Sequence, residues 1–346
     1  MTGIRHVTVK NTPRIGFVLG KFMPLHRGHE ALLRFARENC THLYVVVDNI
    51  PDAWVDAQTR CRWIVQTVPD ATVLHLPQPN PQDPGEHPRF WDIWRDSLLQ
   101  VLGEKPDVVF ASETYGARLA QELGAVFMPF DIARAAVPVS ATMIRNDLAA
   151  HWHLLSAAAR RDYTFKVCVF GPESTGKSTL TQQLAAHYTT KGVHEFARDV
   201  IESQGSITAG DMLAIAQGQQ RLIDAALADA DRVVFSDTDA LSTTVWARWL
   251  YGARDMAVEA LARAYPCDFY LLLAPDLPWV PDMVRYFEGR GAEFFADCED
   301  TLKSYGRPYA VIGGQGDARL HNAVAAVDQA MAAFFAGIGR NVKVRM

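Results

Sequence analysis

The sequence predicts an α/β protein made of two doubly wound parallel-sheet domains, and three observations carry that prediction. Short β-branched runs alternate with amphipathic helical stretches through the first half; the alternation stops between residues 150 and 164; and a fresh apolar strand at 165–170 starts it again. At 346 residues the chain is long for one domain and suits two. The expected boundary is near residue 160, giving domains 1–160 and 161–346.

In the first half the candidate strands are 15–19 (IGFVL), 43–47 (LYVVV), 71–76 (ATVLHL), 107–110 (DVVF) and 125–128 (AVFM). Helical patterns lie near 28–39, 57–67, 90–101 and 115–123. The stretch 77–88, PQPNPQDPGEHP, holds five prolines and a glycine and reads as a loop or lid. The second half offers strands at 165–170, 232–236 and 268–273, with helices around 177–189, 209–228, 240–250 and 317–336. No internal repeat is evident, and the halves carry different glycine motifs.

Hydrophobic residues at 49% and charged residues at 21% are enough for two cores. A formal net charge of −5 argues against a surface for bulk phosphate neutralisation, so no nucleic-acid partner is expected, while a small anionic ligand held locally remains open. The five cysteines are scattered, with no C-x-x-C pair, as in a reduced, cytoplasmic protein. The first dozen residues lack a signal-peptide apolar region and no run of about 18 apolar residues occurs, so no membrane association is expected. Homo-oligomerisation stays open.

GPESTGKS, residues 171–178, matches G-x-x-x-x-G-K-[ST] between a strand and a helix, the context that a phosphate-binding loop requires. Gly171 and Gly176 let backbone N–H groups turn toward phosphate oxygens at a helix N-terminus. ATP is therefore expected on Gly171, Glu173, Ser174, Thr175, Gly176, Lys177, Ser178 and Thr179. Lys177 would reach the β- and γ-phosphates, and Ser178 with Asp237, at the end of the strand VVFSD, would hold Mg²⁺. Asp239 reads as a helix cap or a substrate contact. EFARD (195–199) is expected to end a third strand, with Asp199 accepting a proton or binding a sugar diol, or else forming a surface ion pair. PWVPDMVRYFEGR (278–290) places Arg285 on a lid that could neutralise a transferring phosphoryl group.

In GKFMPLHRGH (20–29), His26 and His29 could bind a metal, hold a phosphate or do neither. A zinc site wants three or four ligands, and no Cys or carboxylate cluster lies nearby in sequence. Position favours phosphate, because the pair follows the first strand at the carboxyl edge where open α/β sheets bind ligands, and Gly28 permits close approach to a helix N-terminus. Ser140, Thr142 and Arg145 in PVSATMIRND add a helix cap and an anion-directed guanidinium.

HRGH and SATMIR together resemble the H-x-G-H and Ser-x-Thr-x-x-Arg signatures of the nucleotidylyltransferase superfamily. The longer block GKFMPLHRGH, followed by a phosphate-loop half with GPESTGKS, EFARD, SDTD and PWVPDMVR, resembles the bifunctional NadR family over roughly residues 14–335. That resemblance implies a Rossmann-like nicotinamide-nucleotide adenylyltransferase domain followed by a P-loop ribosylnicotinamide kinase domain. It implies phosphorylation of nicotinamide riboside to NMN and adenylylation of NMN to NAD plus pyrophosphate, with ATP as co-substrate at both sites and Mg²⁺ as cofactor. Gly20, Lys21, Phe22, His26, Gly28, His29, Ser140, Thr142 and Arg145 would bind the first ATP, with His29 catalytic, and Trp91 or Trp94 would either stack on the cationic nicotinamide ring or pack in the core. Lys177, Asp199 and Arg285 would be catalytic in the kinase. Some NadR proteins carry an N-terminal helix-turn-helix domain; only residues 1–14 precede the first expected strand here, so DNA binding is not expected. The alternatives are a related fusion acting on a different phosphorylated metabolite, or a nucleotide-sensing regulator without turnover.

Overall fold

The computed structural model describes residues 14–51, 53–280 and 286–338. They fall into two compact units, one reaching Ala159 and the other spanning Arg160–Ile338. Each is built on a five-stranded sheet whose strand pairs are all parallel.

The first unit runs β1 (Ile15–Gly20), α1 (Arg27–Glu38), β2 (His42–Val47), α2 (Ala57–Thr67), β3 (Thr72–His75), α3 (Phe90–Leu102), β4 (Val108–Ala111), α4 (Tyr115–Leu123), β5 (Val126–Pro129) and α5 (Ala141–Asn146), with α6 (Ala157–Tyr163) at the boundary in sequence. Its sheet order is β3-β2-β1-β4-β5. The central strands are apolar on both faces because helices cover both: Val45, Val46 and Val47 are fully buried in succession, as are Phe17 and Val18.

The second unit continues β6 (Phe165–Phe170), α7 (Lys177–His187), β7 (Lys191–Val193), α8 (Phe196–Gln204), α9 (Met212–Ala226), β8 (Val233–Asp237), α10 (Ala240–Tyr251), α11 (Met256–Ala264), β9 (Phe269–Leu273), α12 (Gly291–Ser304), β10 (Tyr309–Ile312) and α13 (Asp317–Gly337). The order is β10-β9-β6-β8-β7. Strands β7 and β10 are at the sheet edges and escape the sequence pattern. One is three residues long and opens on Lys191 and Gly192; the other is a four-residue apolar run that leaves Val311 half exposed, so neither is buried like a central strand.

In both sheets the first strand of the unit lies between partners reached in opposite directions: β1 between β2 and β4, β6 between β8 and β9. The crevice at such a reversal is where open α/β sheets take ligands. Both glycine motifs follow these two strands. No helix among the described residues is long and apolar enough to cross a membrane.

Candidate active sites

In the first unit His26 caps α1, and the two imidazoles share that cap. The His29 N–H donates to His26 Nδ1 (3.3 Å) and the His26 N–H donates to His29 Nδ1 (3.4 Å). The rings stack at 3.6 Å between centroids, and Phe22 stands edge-on to His29 at 5.1 Å. Because each Nδ1 accepts, each neutral ring carries its proton on Nε2. Burial, with Arg134 nearby, pushes His26 down to about 4. Burial, then His26, then Arg134 hold His29 well below the usual imidazole range. The pair therefore offers two neutral Nε2–H donors at pH 7 rather than two cations. Metal chemistry is disfavoured here: the Nδ1 atoms are engaged, and among the described residues the one cluster of three metal-capable side chains is Cys168, Asp239 and Cys267 in the other unit.

Gly28 is required by packing, since a Cβ there would lie 3.0 Å from Val139 Cγ1 and 3.2 Å from the His26 ring. Ser140 caps α5, its Oγ accepting from the Met143 N–H at 3.1 Å. Arg145 donates to Thr142 Oγ1 (2.7 Å) and to the Met23 carbonyl (2.8 Å), which ties α5 to the loop after β1. A cavity of about 540 Å³ brings Gly20, Lys21, Phe22, His26, Gly28, His29, Ser140, Thr142, Arg145, Trp91 and Trp94 together. Trp94 is mostly core, with its indole N–H donating to the Pro81 carbonyl at 2.9 Å, whereas Trp91 is half-buried with the Arg118 guanidinium 5.7 Å from its ring centre. Three further lining residues, Asp48, Tyr115 and Arg134, belong to none of the sequence motifs. Arg60, only 1% exposed, fixes two of the loops by donating to the carbonyls of Lys21 and Asp48, both at 2.9 Å.

In the second unit Gly171, Ser174 and Gly176 have φ of 134°, 61° and 80°. Such left-handed residues within the loop turn successive N–H groups toward one side, as a phosphate nest requires. The Lys177 ammonium donates to the carbonyls of Pro172 (2.7 Å) and Gly171 (3.1 Å). Glu173 lines the cavity with the rest of the loop, while its carboxylate accepts the N–H groups of Tyr286 (2.9 Å) and Phe287 (3.1 Å). Ser174 Oγ accepts the Val280 N–H at 2.9 Å. Arg285 lies outside the described residues, between these two anchored points in sequence.

Ser178 Oγ donates to Asp237 Oδ2 at 2.5 Å, while Asp237 Oδ1 is buried without a hydrogen-bond partner. A hydroxyl beside a buried carboxylate with a free oxygen is a donor set that suits a hard divalent cation. Burial raises the Asp237 carboxyl, and Lys177 pulls it down.

Two expectations need correction. EFARD ends no strand: β7 stops at Val193, and Glu195 is the N-cap of α8. Gln219 from α9 sets that geometry, accepting the Phe196 N–H (2.8 Å) and donating to the His194 carbonyl (3.1 Å) and Ser236 Oγ (3.0 Å). Asp199 consequently lies outside the cavity wall and pairs with His194 Nε2 at 2.8 Å on an exposed surface. Glu195 and Arg198 line the cavity with Lys177, Ser178 and Thr179, and are 3.2 Å apart. Burial and the Asp237 charge raise the Glu195 carboxyl, opposed by Lys177 and Arg198. Asp239, off the cavity wall, takes the helix-cap role expected of it rather than a substrate contact. It caps α10 by accepting the Ser242 N–H (3.0 Å) and takes the Tyr270 hydroxyl hydrogen bond (2.6 Å), so its oxygens are committed to the core.

Two α/β units, each with a phosphate-directed loop at its sheet's reversal point, define the chain as a double nucleotide-binding protein. Residues 166–319 match the AAA domain family. The chain is 29% identical over 295 residues to the trifunctional NAD biosynthesis/regulator protein NadR of Escherichia coli strain K12, covering 78% of this chain and 71% of that protein. It is 28% identical to the Salmonella typhimurium protein of the same name, with the same coverage. Two crystal structures of NadR proteins, one in complex with NAD and AMP-PNP and one with NR, share the fold at TM-scores of 0.70 and 0.71 and 23% identity, covering 93% of this chain and 97% of theirs. The chain is a homologue of the NadR proteins.

Proposed function

We propose that the protein is a bifunctional NAD salvage enzyme, a ribosylnicotinamide kinase in its second unit and a nicotinamide-nucleotide adenylyltransferase in its first. The observation that carries this reading is the presence, in one NadR homologue, of two different phosphate-directed geometries: a neutral histidine pair after β1 and a P-loop after β6.

In the kinase, the 5′-hydroxyl oxygen of nicotinamide riboside attacks the γ-phosphorus of ATP, the bond to the β,γ-bridging oxygen breaks, and ADP leaves with NMN formed. Glu195 is the residue to receive the hydroxyl proton: of the two acids on the cavity wall, Glu173 is occupied by the N–H groups of Tyr286 and Phe287, and burial has raised the Glu195 carboxyl. Lys177 and Arg198 supply positive charge beside the transferring group. Mg²⁺, held by Ser178 and Asp237, would add charge neutralisation at the phosphates.

In the adenylyltransferase, a phosphate oxygen of NMN attacks the α-phosphorus of a second ATP and pyrophosphate leaves. The nucleophile is already an anion, so this site has only to position two polyanions and offset their charge. The Nε2–H groups of His26 and His29 donate to phosphate oxygens, while Lys21, Arg134 and Arg145 carry the compensating charge. The test is to supply the purified protein with nicotinamide riboside and Mg-ATP. The reading requires NMN, then NAD and pyrophosphate; accumulation of neither would overturn it.

A further inference from the structure

The first unit's cavity contains a group that phosphate binding does not employ. Asp48 directly follows β2 and is 2% exposed. Its backbone is fixed on both sides, with the N–H donating to the Gly20 carbonyl (3.1 Å) and the carbonyl accepting from Arg60 (2.9 Å). Asp48 lines the cavity, and its Oδ1 is buried with no hydrogen-bond partner. A buried carboxylate oxygen left unpaired is costly, and a cavity beside it marks where a donor from a ligand would remove the cost.

The sheet order divides this cavity chemically. Arg134, Ser140 and Arg145 follow β5 on one side of β1, whereas Asp48 follows β2 on the other side, where the segment after β3 adds Gln82, Trp91 and Trp94. One half brings the guanidinium groups of Arg134 and Arg145 to the wall, Arg134 paired with Glu113, and suits a triphosphate. The other places the Asp48 carboxylate, near Gln82 and the charges of Lys21 and Arg60, beside indole rings and suits an electron-poor cationic ring bearing N–H donors.

We propose that Asp48 is a specificity residue that selects pyridine mononucleotides carrying a ring carboxamide against those carrying a ring carboxylate. Oδ1 accepts an N–H of the carboxamide; a carboxylate in the same place would meet a like charge at hydrogen-bonding distance, which disfavours it. This inference rests on the adenylyl-transfer reading.

The test compares NMN with nicotinic acid mononucleotide, both as substrates with Mg-ATP and as ligands by quenching of tryptophan fluorescence. The wild type should favour NMN at least about tenfold in kcat/KM and in affinity. Asp48→Asn, which can offer an amide N–H to a carboxylate, should shrink that preference by about tenfold or more with the KM for ATP unchanged. Asp48→Ser is the second variant should the first fail to fold. Equal use and binding of the two mononucleotides by the wild type, or an unaltered preference in a folded variant, would overturn the assignment. A wild type that binds NMN selectively but forms no dinucleotide would instead contradict the adenylyl-transfer reading, with the binding arm still deciding the part played by Asp48.

Discussion

The two phosphate sites stand at equivalent places in their sheets and use different chemistry. After β6, one lysine, a curled backbone and a hydroxyl–carboxylate pair fitted for a cation converge on the loop. After β1, the helix cap is made from two stacked imidazoles whose Nδ1 atoms are consumed by backbone N–H groups. The first arrangement concentrates charge where a phosphoryl group is transferred to a neutral hydroxyl. The second supplies directed neutral donors, with separate arginines carrying the charge, where an anion is the nucleophile. The contrast teaches that burial keeps a phosphate-binding histidine neutral, while the hydrogen bond at its other nitrogen decides which nitrogen donates.

The largest effect expected from breaking this contrast is at Glu195. Glu195→Gln should lower the kinase kcat by about 10²–10⁴-fold, the range for loss of a general base, and leave adenylylation of supplied NMN unchanged; initial rates with each substrate check it. Next, Asp237→Asn should raise the Mg²⁺ concentration for half-maximal kinase rate at least about tenfold, read from a metal titration.

The histidine pair gives a third, smaller effect, on stability. Unfolded histidine binds a proton below about 6.5, whereas folded His26 stays neutral until about 4, so the unfolded chain holds more protons between those values. Stability should therefore fall as pH drops through that window, by a few kcal/mol at most, and His26→Gln should flatten the slope measured by denaturant titration. The smallest effect is at Asp199. Asp199→Asn should alter the kinase rate no more than about twofold, because the residue makes only an exposed pair with His194.

Those last two residues show how far the sequence could be read. The loops after β1 and β6 were legible because strong apolar strands fix their position and glycine spacing fixes their geometry. The pair Glu195 and Asp199 was not. A regular helix would put residues four apart on one face, but Glu195 is an N-cap with extended backbone (φ −75°, ψ 111°), so the two side chains part company. Asp48 and Arg134 carry no local pattern at all; each becomes part of a site through the sheet order, which brings the ends of β2 and β5 to either side of β1. Asp239 shows the opposite case: its N-cap position was readable, while its hydrogen bond from Tyr270 depends on packing against β9.

The central claim is that the two sites act separately in succession, and product chromatography on two folded variants tests it most directly. Lys177→Ala given NMN and Mg-ATP should form NAD, and given nicotinamide riboside should form nothing; His29→Ala given nicotinamide riboside should accumulate NMN without NAD. Loss of both reactions in either variant would contradict the account.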